Sequence, residues 1–212
     1  MHNMKTFVCK TLTAIVAVVL CACHNNRSNQ PTIIPDTVVR VCREGDIVLR
    51  EGTAIESRVV SAADRRSHFT HCGLVARMGK ELVVIHAVPQ EPDYDGDVDR
   101  VKAEPIRQFF STKRAKRGCV LRCLTDTATA HRAAQKAVEL VRRRTPFDHD
   151  YNDRDTTQMY CSELVVFAYA SAGMEFRGLH RSDYFLVTTR LHNVLLPSEF
   201  TTAEQVQRIA DF

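Results

Sequence analysis

Two runs of β-forming residues, His71 to Met78 (HCGLVARM) and Glu81 to Val88 (ELVVIHAV), stand either side of the dipeptide Gly79-Lys80. A two-residue connection containing glycine between two such runs specifies a β-hairpin. This constrains the fold more than any other feature, because it fixes an antiparallel pair and its register. Positions whose numbers sum to about 159 lie opposite one another, which puts His71 and His86 within about one pair of being cross-strand neighbours. Two titratable rings are thereby brought together by local geometry alone.

Around the hairpin, other elements follow from pattern. Gly45-Asp46 turns into a short apolar strand, Ile47 to Leu49, and Gly118 to Leu124 reads as another strand. Ile55 to Asp64 has apolar residues at helical spacing. Ala128 to Arg144 is an amphipathic helix with Ala134, Ala137, Val138 and Val141 inward, and Pro146 ends it. Residues 147–159 are a polar loop, Cys161 to Ala172 is an apolar helix closed by Gly173, and Ser198 to Ile209 suggests one more short helix. The class is α+β, an antiparallel sheet packed against helices. At 212 residues, 44% hydrophobic and 25% charged, the chain suits one domain of moderate size, not a collagen-like or multi-pass membrane protein.

The first two dozen residues read as an address. Lys5 and Lys10 precede an apolar run, Leu12 to Leu20, which is short beside the roughly 20 residues a membrane span needs. The run ends in Leu20-Cys21-Ala22-Cys23, which resembles a bacterial lipobox. That resemblance implies a signal peptide over residues 1–22, lipid on the Cys23 sulfur, a polar tether over 23–36 and a domain over 37–212. An ordinary secretory peptide cut nearby is the other reading. The expected location is the bacterial cell envelope, periplasmic or outer-membrane associated, with the membrane as a partner through the lipid. Nucleic acid is not expected: the formal charge is only +4, Lys5 and Lys10 supply two of it, and there is no Trp.

Of eight cysteines, Cys42, Cys72, Cys119, Cys123 and Cys161 belong to the domain. An odd count leaves at least one thiol without an intramolecular disulfide. Cys119 and Cys123 sit about 13 Å apart along one strand, too far to pair with each other. Buried structural thiols account for Cys42, Cys72, Cys119 and Cys123. Cys161 differs, because it stands where a polar loop meets a hydrophobic helix. There the free N–H groups and the helix dipole stabilise a thiolate and can hold an oxyanion. A nucleophilic thiol needs a base, and the base needs an orienting group. His71 and His86 fit these two jobs.

Four segments in order, Gly45-Asp46-Ile47-Val48, Ser67 to Val75 (SHFTHCGLV), Pro146-Phe147-Asp148 and Tyr160 to Val165 (YCSELV), resemble the permuted papain-like amidases of the YiiX/YaeF type, relatives of NlpC-type cell-wall endopeptidases. The likeness spans roughly residues 43–170 and implies a circularly permuted papain-like fold, with Cys161 as nucleophile and His71 as general base. YiiX-type members usually carry Glu at the third catalytic position, whereas this chain has His86. A neutral imidazole still accepts the bond that orients His71, as in NlpC-type relatives, but supports an imidazolium less than a carboxylate does. The implied activity is cleavage of amide or peptide bonds without a cofactor, and cell-wall stem peptides, as in peptidoglycan fragments, suit an envelope protein. Two alternatives stay open: hydrolysis or transfer of a lipid acyl amide or thioester, favoured by an apolar groove beside Cys161, and a non-catalytic binding lipoprotein.

Other groupings read more plainly. A zinc site from His68, His71, Cys72 and His86 is disfavoured, because His71 and Cys72 are adjacent on a strand and face opposite ways, so no metal is expected. Asp93 to Asp99, with Glu104 after it, reads as a solvated acidic loop, since Val98 stands where a calcium loop needs glycine. Asp148 and Asp150, with Asp153 and Asp155, form either a wet surface or a site for a cationic amine of the substrate. Tyr160 either contributes to the oxyanion hole or packs beside it.

Overall fold

The computed structural model describes residues 31–53, 68–152, 154–185 and 190–212. The signal segment 1–22, Cys23, most of the tether, the 55–64 helix and Asp153 lie outside the described residues.

The elements, in chain order, are α1 (Asp36–Val41), β1 (Ile47–Gly52), β2 (His71–Met78), β3 (Glu81–Val88), β4 (Arg100–Pro105), α2 (Ile106–Phe109), β5 (Ala115–Cys123), α3 (Thr127–Arg142), α4 (Cys161–Ser171), β6 (Arg181–Phe185), β7 (Arg190–Leu195) and β8 (Val206–Asp211). Six strands make one antiparallel sheet in the order β4-β3-β2-β1-β5-β8, and β6 pairs with β7 separately. The mixed class, with an antiparallel sheet packed against helices, is the expected one.

The hairpin has the register that its turn requires: Leu74 opposes Ile85 and Met78 opposes Glu81. Gly79 takes φ +62 in the turn, a left-handed conformation that costs glycine little. Gly73 serves another purpose. A Cβ there would meet Val84 Cγ1 at 2.5 Å and Ile85 O at 2.9 Å, so only glycine lets β3 come this close.

Alternation along the strands divides the interior in two. Ile47, Leu49, Leu74, Ile85 and Leu121 face α3 and α4 across the larger core. Val48, Val75, Val84 and Val120 face the other way, onto Phe109 and Phe110. Asp126 caps α3 by accepting from Thr129 N at 2.9 Å, and Glu163 caps α4 by accepting from Tyr160 N at 3.2 Å.

Three expectations need correction. Residues 31–36, assigned to the tether, belong to the folded unit: Ile34 is buried, Ile33 N donates to Phe110 O at 3.1 Å, and Thr32 bridges to Ser111. The tail is not a helix but a 3-10 turn at Pro197–Thr201 followed by β8, because edge pairing with β5 outweighs the helical spacing of its apolar residues. Glu104 is not in a solvated loop. It lies on β4 and is 2% exposed, while Asp93 and Asp97 are tied to Arg100 and Lys102.

Candidate active site

Cys161 is the first residue of α4 and lines a cleft, where it is partly exposed. His71, at the start of β2, lines the same cleft, and its proximity lowers the Cys161 thiol. Its Nε2 lies 2.8 Å from His86 Nδ1, which leaves Nδ1 of His71 for the sulfur. The structure therefore brings the sequence-selected Cys161, His71 and His86 together, with the two rings meeting edge to face.

Behind them are groups that sequence reasoning did not select. Glu104 Oε1 is 3.0 Å from His86 Nε2, off the direction of a straight N–H···O bond. Arg50 sits directly across β1 from His71, donates to Phe109 O at 3.0 Å, and stacks 4.5 Å over the Phe109 ring. Arg50 also pairs with Glu91, and Arg114 pairs with both Glu91 and Glu104. These charges are almost wholly buried and neutralise one another, the arrangement burial demands.

The electrostatics follow. Burial, assisted by the Arg50 guanidinium, lowers His71 to about 4, and the same two causes hold His86 well below the ordinary histidine range. Both rings are neutral at physiological pH. Cys161 is lowered well below the ordinary thiol value by its interaction with Cys72 first and with His71 after it, against the opposing effect of burial. Cys72 is correspondingly raised, by burial first. Cys72 is thus a buried thiol that also influences the reactive one, a role its alternation on the strand concealed. Cys42, Cys119 and Cys123 are buried and raised to about 11, 12 and 12, chiefly by burial, and all five domain cysteines are free.

The substrate-binding candidates divide. Tyr160 lines the cleft, but its hydroxyl is engaged by Leu195 N at 3.3 Å and Arg181 at 3.4 Å, so the ring serves as a wall that anchors β6 and β7. Asp148 is fully buried and accepts from the backbone N–H groups of Asp150 and Asn152, so it organises its loop. Neither Asp148 nor Asp150 lines the cleft, and no binding role is assigned to them. The lining instead draws its apolar part from Val88, Pro89, Phe147, Val194, Leu195 and Leu196, beside the polar Arg50, Thr70 and Glu91. Glu91 is the acidic residue of the lining, and both of its oxygens are held by arginines.

Comparison with known proteins agrees with this architecture. Residues 41–210 match the family described as permuted papain-like amidase enzyme, YaeF/YiiX, C92 family. A crystal structure of a protein described as metalloprotein YiiX, from Escherichia coli O157:H7, is similar to this chain with a TM-score of 0.63 at 22% identity, over 80% of this chain and 97% of that one. No curated protein matches. The word metalloprotein describes that neighbour; here, among the described residues, no three His, Cys, Asp or Glu side chains converge to hold an ion, and the facing nitrogens of His71 and His86 are spent on each other.

Proposed function

The chain belongs to the permuted papain-like amidases of the YaeF/YiiX type, a cysteine amidase or peptidase by family, and on that premise we propose that Cys161 is its nucleophile and His71 its general base. His71 Nδ1 takes the thiol proton as the sulfur attacks the amide carbonyl. The backbone N–H groups at the head of α4 receive the developing oxyanion. An imidazolium whose pKa is lowered to about 4 is a stronger acid than an ordinary one, suited to protonating the departing amine. Water, activated by the same ring, then hydrolyses the thioester and frees the sulfur. His86 orients His71 by accepting its Nε2–H. One observation carries the reading: a thiol lowered by its neighbours lines one open cleft with an imidazole whose Nε2 is held at 2.8 Å by His86. A purely binding protein has no need of that arrangement.

The substrate proposed from the sequence is a peptide amide of the cell wall, processed by an enzyme anchored to the envelope through Cys23. A second reading gains specific support from the lining. The lining is largely apolar and offers no free carboxylate to a cationic amine of a stem peptide, which favours an acyl amide or thioester whose acyl chain lies along Val88, Val194 and Leu196. Incubating the protein with peptidoglycan fragments and, separately, with N-acyl amides of increasing chain length distinguishes the two. Activity that rises with chain length supports the acyl reading, and release of stem-peptide fragments supports the other. Equal activity of Cys161→Ala on both would overturn the nucleophile assignment.

A further inference from the structure

The polar groups do not end at His86. Its Nε2 and Glu104 Oε1 are both buried, have no hydrogen-bond partner among the described residues, and lie 3.0 Å apart. The remaining charges around them are accounted for. Arg114 holds the other Glu104 oxygen and Glu91, Arg50 holds Glu91 and stands 3.8 Å from Glu104 Oε1, and Lys102, opposite His86 on β4, is bonded to the Glu91 carbonyl and Asp93. His71 and the Phe109 ring complete the surroundings of His86.

From this juxtaposition we infer that Glu104 is a positioning residue of the same site: through His86 it determines which nitrogen of each imidazole carries the hydrogen. The inference rests on the proposed roles of Cys161 and His71. A carboxylate only accepts hydrogen bonds, so the facing nitrogen of His86, Nε2, must be the N–H. A neutral imidazole has one such hydrogen, and His86 Nδ1 is therefore an acceptor. His71 then donates from Nε2, and its Nδ1 is left with a lone pair for the Cys161 proton. Reversing the first assignment reverses all the others and presents an N–H to the sulfur, a geometry in which His71 cannot act as base.

The experiment is nitrogen-15 NMR of the full-length protein labelled at histidine, combined with iodoacetamide alkylation read by mass spectrometry on the Cys161 peptide. In the unaltered protein, His71 and His86 should each show a pyrrole-type Nε2 and a pyridine-type Nδ1. Glu104→Gln, which can donate as well as accept, should populate the opposite tautomer of His86 and slow Cys161 alkylation at neutral pH about 10- to 100-fold, as loss of such orienting partners does elsewhere. Glu91→Gln loosens the same ion network without touching His86 and should leave the tautomers as they are. A pyrrole-type Nδ1 on His86 in the unaltered protein would overturn the inference, and this reading needs no variant to fold. So would Glu104→Gln leaving both tautomers and the alkylation rate unchanged. If no amide is ever hydrolysed while the tautomers respond to Glu104→Gln, it is the proposed function that fails.

Discussion

The two faces of the main sheet are made from the same strands and do opposite work. On the helix side, Leu49, Leu74, Ile85 and Leu121 pack against α3 and α4 with hardly a polar atom. On the other side the same strands carry Arg50, His71, His86 and Glu104, buried as completely, beside Phe109. The first face holds the fold by removing apolar area from water. The second is costly to bury and persists because each charge is met by another. Stability and chemistry are thus assigned to alternate residues of one strand, and a substitution should disturb one while largely sparing the other.

The sharpest way to break that division is at the chemistry. Cys161→Ala, and His71→Ala as well, should cut hydrolysis by about 10⁴-fold or more while the fold survives, measured as kcat on whichever amide proves to be the substrate. Unfolding of either variant in circular dichroism would show that the polar face also carries the structure. On the apolar face, Leu74→Ala should cost about 2–5 kcal/mol in denaturant melts yet leave the pH dependence of Cys161 alkylation where it was. A shifted profile would mean that the two faces are coupled.

Acid should unpick the polar face selectively. The folded protein holds His71 at about 4, against 6.5 for an unperturbed ring, so the unfolded chain binds the proton more readily. Stability should be complete above about pH 6.5 and fall as pH drops towards 4, by about 3 kcal/mol from this ring alone. His71→Gln should remove that part of the slope, and an unchanged slope would contradict it. The smallest effect concerns a residue on the apolar side: Cys72→Ala removes the thiol whose interaction lowers Cys161 and should slow its alkylation at neutral pH by about tenfold. No change would leave His71 as the sole support of the thiolate.

The contrast also explains what could be seen in the sequence. The hairpin was legible because turn and β-rich runs coincide, and with it the meeting of His71 and His86. Cys161 was legible because polarity changes abruptly at the head of α4. Strand β4, Arg-Val-Lys-Ala-Glu-Pro, was not, since half its residues are charged and nothing local says that those charges face inward. Glu104 therefore reads as part of a loop, and Arg50, on a short strand, carries no local signal of burial. Their burial depends on partners far along the chain, Glu91 and Arg114, that no local pattern reveals. The terminal strand was missed for a similar reason: β8 exists by pairing with β5.

The pH dependence of Cys161 alkylation, followed on its own peptide in the unaltered protein and in His71→Ala, tests the central claim most directly. The account predicts a thiol that reacts well below the ordinary range near 8.5 and moves upward when the imidazole is removed. A thiol that titrates in the ordinary range, with or without His71, would contradict it.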